Sequence, residues 1–455
     1  MPTAYQLLPD EPVADLDAYV AAGGGAGLER ALDMAPAEVI DVVRRARLRG
    51  RGGAGFPTAV KWASVVAEAG DGALYLVCNG AEGEPGTYKD RPLLAAAPHQ
   101  LLEGVLIALR ATGAERAYVA TKQRFTSEVE RLATALSEVR DAGWGGADRV
   151  DIVLGPDEYL FGEESALLEV VEGKLPLPRI LPPYQQGLFA GPGAANPTVV
   201  NNVETLSHVA RILADDGESF RSVGTEEAPG TMIFTVLGDV AQEGYYELPL
   251  GTSLGTLIRD LAGADEVQAI ISGTSNPIIT PELMDLPMDF DSLGEAGAGL
   301  GSGGFMVYGA HRDIVQVVTV LARVLAVESC GQCIACKLGN LQMFERLDRL
   351  VRGEGTATDI EEIRKRTSTV TDANRCFLPV GSALLIRSAL EEFPEAFQAR
   401  IGVPSPPEVA VAVPKIIDFT DDGFVLDPSY LRKRADWSYA PEGEDAAVRG
   451  RVSQS

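Results

Sequence analysis

The chain has 455 residues, which at roughly 100–200 residues per domain predicts two to four domains. Hydrophobic residues make up 46% and charged residues 23%, which excludes wholesale disorder. The net charge of −26 argues against nucleic acid and anionic membrane as partners, 3 His leave few imidazoles for a multi-histidine metal centre, and 5 Cys do not make a disulfide scaffold.

The N-terminal stretch has no basic region followed by an apolar run, so no secretory signal is expected and a cytoplasmic location is. Residues 29–48 carry apolar positions at helical spacing and lead into Arg44, Arg45, Arg47 and Arg49. A Gly-rich segment spans 49–62. Residues 73–78 read as a short buried strand running into the loop 79–91. A helix over 99–111, strands at 117–120 and 150–154, and a helix at 127–139 between those strands predict an α/β layer. A helix over 163–172 is entered through Tyr159, Leu160, Phe161 and Gly162. Pro and Gly then punctuate 175–197, which predicts a long ordered surface loop, and a second helix follows the string around Asn201 and Asn202. Near Pro229 the pattern changes to strand–turn–strand, a short helix and two further strands, which suggests a small α+β module of the β-grasp kind. From Asp313 to about Arg400 the pattern is helical. The apolar run 314–327 is interrupted by Gln316 and Arg323 and is too short to span a bilayer. The tail from Val403 is proline-rich without sustained period and is expected to wrap a partner or the protein's own surface.

Cys330, Cys333 and Cys336 lie at C-x2-C-x2-C spacing, with Cys376 remote. In a cubane each thiolate must reach a different iron, and this spacing suits that geometry. Structural zinc prefers two separated ligand pairs, so a [4Fe–4S] cluster fits better, and better than a set of unligated core cysteines. Gly331 and Gln332 would free backbone N–H groups for cluster sulfurs. Cys78, alone at a strand end, reads as packing.

The glycine loop of residues 49–56 follows a predicted helix, so it does not match a dinucleotide fingerprint after a strand. Dense glycines still let backbone N–H groups approach an anion or a planar ring, and Lys61 could place an ammonium on a phosphate; a flexible loop is the plainer alternative. The loop 79–91 carries three acidic and two basic side chains around a Gly-Glu-Pro-Gly turn. The amides of Asn201 and Asn202 can bond a flavin or ribose edge. Glu163 and Glu164 open a helix, where they could simply stabilise its dipole or, in a cleft, orient ribose hydroxyls.

Taken together, RGRGGAGFPTAVKW, CNGAEGEPGTYKDR, YLFGEESALLEVVEGK, NPTVVNNVETL, MDFDSLGEAGAGLGSGG and ESCGQCIAC resemble, in that order, the motifs of the NADH-binding flavoprotein subunit of respiratory complex I. That family includes diaphorase subunits of NAD-linked hydrogenases and formate dehydrogenase beta subunits. The resemblance runs from about residue 28 to 399. It implies FMN, one [4Fe–4S] cluster on Cys330, Cys333, Cys336 and Cys376, and NAD(H) as substrate over the flavin. It implies an α/β flavin domain (1–227), a β-grasp domain (228–311), a helical cluster domain (312–402) and a tail (403–455). Motif by motif, Gly50, Arg51, Gly52, Gly53 and Lys61 would surround the FMN phosphate and ring. Asn79, Glu82, Tyr159, Gly162, Asn201, Asn202 and Thr205 would hold the rest of the flavin. Phe56 and Glu84 fall at dinucleotide contacts, and Glu84, Glu163 and Glu164 at the carboxylates nearest the chemistry.

Some positions depart from the family pattern. Ala81 stands in place of a usual Asp, Ser64 near a usual aromatic, Leu181 in place of a common basic residue, Ala335 for Pro and Lys337 for Arg. The first three lie on the dinucleotide side and predict weakened nucleotide binding, while the Glu84 carboxylate, held in its turn where it would repel a 2′-phosphate, predicts NAD preference. The implied function is hydride exchange between NAD(H) and FMN, with single electrons passed through the cluster. Two alternatives stand beside it: an electron-relay or assembly subunit that keeps FMN and cluster but has lost nucleotide binding, and an acidic iron–sulfur scaffold without flavin. With one cluster in the chain, the implied partners are a [2Fe–2S] thioredoxin-like subunit and a larger iron–sulfur or catalytic subunit of hydrogenase, formate dehydrogenase or complex I type. Neither nucleic acid nor a membrane span is expected, and a peripheral position on the cytoplasmic face of a membrane complex fits the same pattern.

Overall fold

A computed structural model describes residues 5–70, 72–406 and 411–443. Four strands, β1 (Tyr75–Gly80), β2 (Arg116–Lys122), β3 (Val150–Gly155) and β4 (Thr198–Asn202), form a parallel sheet in the order β3-β2-β1-β4. Side chains alternate across it. Leu76 and Cys78 of β1 enter a core built on the helices Ala26–Asp33, Pro36–Arg45, Pro98–Thr112 and Val203–Ala214, while Val77 packs with Phe161, Leu167 and Leu168 on the other face. Both faces are covered, as parallel strands require. Helices Pro98–Thr112 and Val203–Ala214 approach so closely that a Cβ on Gly104 would lie 1.9 Å from the Leu206 carbonyl oxygen.

Two sequence expectations are corrected here. The helical stretch over 29–48 is two helices, because Pro36 begins the second and Met34 is extended. The string before the second long helix is not a mere lead-in: Thr198–Asn202 is β4, in register with β1 from Tyr75↔Thr198 to Asn79↔Asn202. Five residues ending in two Asn carry a weak strand signal.

The second sheet contains β5 (Thr231–Gly238), β6 (Gly244–Pro249), β7 (Val267–Ser272), β8 (Ile278–Ile279) and β9 (Gly304–Gly309), in the order β6-β5-β9-β7-β8. β5 and β9 are parallel and the other pairs antiparallel. The short β8 was not foreseen. The short helix between β6 and β7 is a π-helical turn, Thr256–Leu261. One face of the sheet (Phe234, Val236, Ile270, Phe305) packs on Leu257 and Ile258. The other (Leu237, Ile271, Met306) packs on the helices Ile314–Glu328 and Leu378–Glu392.

Among the described residues no single helix is long and apolar enough to cross a membrane. The tail folds back on the protein's own surface. Its hairpin β10 (Ile416–Thr420) and β11 (Gly423–Leu426) sets Phe419 and Phe424 beside Tyr88, with ring centroids 6.0 and 5.6 Å away. Further on, Tyr430 Oη and Lys433 Nζ donate to the buried Glu328 carboxylate at 2.7 and 2.8 Å. Residues 407–410 and 444–455 of the tail lie outside the described residues.

Candidate functional site: a cleft beside four cysteines

The four cysteines come together although 40 residues separate Cys336 from Cys376 in sequence. Cys330 and Cys333 lie in the turn between helices Ile314–Glu328 and Ile334–Val351, Cys336 in the first turn of the latter, and Cys376 just before helix Leu378–Glu392. Gly331 has φ +85°, a left-handed value that a side chain would strain. The thiols line a small cavity bounded by Leu160, Pro178, Leu378 and Pro379. Burial pushes the Cys336 thiol up and the Cys376 thiol up to about 12, so these groups take the thiolate form only against a strong cation. No His or carboxylate lines the cavity. Among the described residues no three His, Cys, Asp or Glu side chains converge on one point as a single ion needs. Four soft ligands spread around an apolar void suit a cluster with one iron per corner.

Next to this cavity lies a cleft of about 660 Å³, and Leu160, Arg375, Cys376 and Leu378 line both. The C-terminal ends of β1 and β4, the glycine loop and the loops of the mixed sheet form its walls. Gly50, Gly52, Gly53, Phe56, Lys61, Asn79, Glu82, Glu84, Tyr159, Gly162, Glu163, Glu164, Asn201, Asn202 and Thr205 all line it. Arg51 does not. Its guanidinium turns away into the interior, donating to the carbonyls of Arg49, Thr231 and Pro229, and burial lowers its pKa to about 10. Only its backbone N–H faces the site's framework, donating to Thr205 Oγ1 at 2.8 Å. Ser64 lies outside the lining and bonds the Lys61 carbonyl.

The glycine loop is closed by the Gly50 N–H on the Phe56 carbonyl at 2.9 Å. Gly53 has φ +131°, and at Gly55 (φ +62°) a Cβ would lie 2.6 Å from the Phe290 ring. The backbone therefore presents itself bare to the cleft. Lys61 Nζ reaches the Glu164 carboxylate at 2.6 Å and the Val200 carbonyl at 3.1 Å. Glu163 caps helix Glu164–Val171, accepting from the N–H groups of Ser165 and Ala166, so the capping alternative holds for that residue. Glu84 is held in place by Tyr159 and Thr274. It accepts from Tyr159 Oη at 2.6 Å, from Thr274 Oγ1 at 2.9 Å and from the Thr274 N–H. Asn79 donates to the Gly162 carbonyl at 2.8 Å, and Asn201 Oδ1 accepts from Trp62 Nε1 at 2.6 Å.

Sequence reasoning missed the charged group under the cleft floor. Lys89 is buried, with Nζ 2.6 Å from Asp90, 3.2 Å from Glu204 and 2.8 Å from Asn202 Oδ1. Glu82 accepts from the N–H groups of Lys89 and Asp90, and its Oε2 is buried with no partner among the described residues. Burial raises the pKa of Glu82 and of Glu204 to about 7, opposed by Lys89. The signal was present as Lys-Asp-Arg in the 79–91 loop, but a charged string reads as solvated until the fold buries it. Arg375, beside the last cysteine, was also missed.

A bare glycine loop, an open cleft and four convergent thiols define a class: an oxidoreductase subunit with an organic-cofactor site beside an iron–sulfur site. The comparisons with known proteins agree. Residues 43–211 match the Nuo51 FMN-binding domain, and residues 316–400 the NADH-ubiquinone oxidoreductase-F iron-sulfur binding region. The F 2 subunit of NADH-quinone oxidoreductase from Rhizobium meliloti is 38% identical over 402 residues, 85% of this chain and 94% of that protein. The F subunit of the Aquifex aeolicus enzyme is 37% identical over 85% of this chain and 91% of its own length. Among solved structures, NAD+-reducing [NiFe]-hydrogenase in the air-oxidized state superposes with a TM-score of 0.76 at 34% identity, covering 87% of this chain and 67% of that chain. This chain belongs to the family of NADH-quinone oxidoreductase F subunits. It carries that family's FMN-binding and [4Fe–4S]-binding regions.

Proposed function

We propose that the cleft takes FMN with NAD(H) above it, and that the four cysteines hold the [4Fe–4S] cluster that accepts the flavin's electrons. The chain is the electron-input subunit of a multi-subunit oxidoreductase. The observation that carries the reading is the shared wall: Leu160, Arg375, Cys376 and Leu378 face the cleft on one side and the thiols on the other. When bound, FMN supplies the conversion between two-electron hydride chemistry and one-electron transfer.

The chain's residues bind, orient and insulate. The backbone of Gly50, Gly52 and Gly53 meets the flavin where side chains would clash. Lys61 provides positive charge toward its phosphate. Asn79, Asn201, Asn202, Thr205 and the Gly162 backbone hold the ring and ribityl edge. Glu82 gives the unpaired Oε2 under the floor a partner in a bound donor. Tyr159 and Thr274 hold Glu84 in one place, so its carboxylate meets the dinucleotide preorganised. Glu163 and Glu164 set the entrance of the helix beside the cleft, and Phe56 offers an exposed ring to the nucleotide. Arg51 acts from behind, bracing the loop.

The parallel sheet supports a flavin unit over 1–227, the mixed sheet a β-grasp unit over 228–311, and the helices around the cysteines a cluster unit over 312–402, with the tail at 403–455. A [2Fe–2S] thioredoxin-like subunit and a larger iron–sulfur or catalytic subunit would carry the electrons onward on the cytoplasmic side. The open cleft, which keeps Glu82, Glu84, Glu163 and Glu164 in its lining, gives no support to a relay that has lost its nucleotide. NADH titration of the flavin absorbance in the reconstituted chain tests the reading: stoichiometric bleaching is expected, and a cleft that retains FMN yet stays oxidised under NADH defeats it.

A further inference from the structure

We propose that Arg375 recognises the pyrophosphate of the dinucleotide at the end of the cleft nearest the cysteines. The inference rests on the reading of the cleft given above and adds a residue that it does not use.

Four cationic side chains line the cleft: Lys61, Lys89, Arg179 and Arg375. Three already hold carboxylate partners, and one of these, Lys61, is assigned to the FMN phosphate. Lys61 pairs with Glu164 at 2.6 Å, Lys89 with Asp90 at 2.6 Å, and Arg179 with Glu169 and with Glu172, the latter at 2.8 Å. Arg375 has no carboxylate partner among the described residues. Its Nη1 donates to the neutral Gln332 Oε1 at 2.9 Å, and the residue is exposed. A pyrophosphate entering this cleft meets Glu82, Glu84, Asp90, Glu163 and Glu164 on a protein of net charge −26. Its negative charge needs a cation that is not already matched, and Arg375 is that cation.

The chemistry suits the ligand. A guanidinium stays charged throughout the physiological range and offers a planar fork to two phosphate oxygens. Turning toward a phosphate, Arg375 exchanges one bond to a neutral amide for charge-assisted bonds, which are roughly twice as strong. Its neighbours on the cleft wall do complementary work. Ile180, Leu181 and Phe377 are 73%, 44% and 56% exposed, apolar and uncharged. They can cover the faces of bases but cannot hold a phosphate. Because Arg375 precedes Cys376, the segment that anchors the last thiol would also seat the substrate.

The test uses the holoprotein with FMN and cluster in place, comparing wild type with Arg375→Ala, Arg375→Gln and Arg375→Lys. ADP-ribose, which has the pyrophosphate without the nicotinamide, and adenosine, which has neither, are titrated by calorimetry, and flavin reduction by NADH gives KM and kcat. Arg375→Ala should weaken ADP-ribose and raise the KM for NADH roughly tenfold or more, with adenosine binding unchanged. The loss should shrink with added salt, and Arg375→Lys should recover part of it. Arg375→Gln covers the case in which the Ala variant loses cofactor. Unchanged ADP-ribose affinity overturns the proposal. So does an equal loss for ADP-ribose and adenosine, or a shifted cluster midpoint potential with unaltered affinity, which would make the charge a tuner of the cluster. If wild type is not bleached by NADH, the reading of the cleft fails; if it is bleached and the variants match it, only this inference fails.

Discussion

Replacing Lys89 with Met keeps the volume of the side chain and deletes the ammonium that lies between Asp90 and Glu204, beside Glu82, leaving Arg51 as the buried cation near Glu204. In the native protein Lys89 and Glu204 are both fully buried, 3.2 Å apart, and Asp90 sits 2.6 Å from the same ammonium. Removing one member of a buried pair costs about 3–5 kcal/mol, because the remaining charge is stranded. The cost must depend on pH, and the sign follows from the acids. Glu82 and Glu204 have folded pKa values raised from 4.5 to about 7. The native state therefore holds more protons than the unfolded state between about pH 4.5 and 7, and these groups lower stability as pH rises through that window. Without Lys89 their pKa values rise further and the window extends above pH 7. The deficit of Lys89→Met should be small near pH 5 and reach its full size near pH 8. Urea denaturation of the FMN-free chain at several pH values measures it, and Lys89→Met with Glu204→Gln should regain part of the loss. A deficit independent of pH, or one below about 1 kcal/mol at pH 8, would refute the reasoning.

Other outcomes are expected on the same footing. Cys376→Ser should lose or convert the cluster, seen as iron content and an altered reduced-state paramagnetic resonance spectrum; an unchanged spectrum removes Cys376 as a ligand. Lys61→Ala should weaken FMN roughly tenfold, whereas Glu164→Gln, which frees the ammonium from its 2.6 Å partner, should strengthen it. Opposite signs in a flavin-fluorescence titration are the signature, and a common sign would contradict the phosphate role. NADH should bleach the flavin faster than NADPH, since the cleft carboxylates repel a further phosphate; faster bleaching by NADPH in stopped flow overturns that preference. Lys433→Met should strand the Glu328 carboxylate, cost about 3–5 kcal/mol, and quicken iron loss to a chelator, and an unaltered rate of iron release would show that the tail does not guard the cluster.

How much of this could be read from the sequence depended on how local the signal was. The gathering of the four cysteines was legible because three of the thiols fall within seven residues of chain at a spacing that iron–sulfur chemistry favours. The glycine loop was legible because no other residue tolerates the φ of Gly53 or the contact at Gly55. β1, β2 and β3 announced themselves as apolar runs. β4 did not, because its strand identity lies in the pairing with β1 rather than in Val-Val-Asn-Asn itself. The resemblance put Arg51 around the FMN phosphate and ring, but its guanidinium points into the interior. Its direction is set by the carbonyls of Pro229 and Thr231, about 180 positions further along the chain. The burial of Lys89 likewise depends on Glu204, and no local pattern contains that pair.

The departures from the family pattern take on a different weight once the tail is in place. The tail lies beyond residue 400, where the match to the iron–sulfur region ends. It nevertheless touches both halves of the site. The Pro414 carbonyl accepts the Gly86 N–H at 2.8 Å, and the Ile417 carbonyl accepts from Arg91 at 2.8 Å, so the strap fixes the acidic loop that carries Glu82 and Glu84. Lys415 between them pairs with Asp157, and further on Lys433 pairs with Glu328 and Trp437 Nε1 bonds the Val327 carbonyl at 3.0 Å, so the same strap also fixes the end of the helix that leads into Cys330. Lys337 completes the clamp: its ammonium bonds the Ser329 carbonyl and, at 2.6 Å, the Ala435 carbonyl of the tail. A bulkier guanidinium would have to find other partners in that space. Lys337 and the tail therefore belong together. Both hold the first cysteine's turn, so the tail adds to the direct contact of Gln332 Nε2 with the Pro178 carbonyl at 3.0 Å in setting the cluster loop against the cleft.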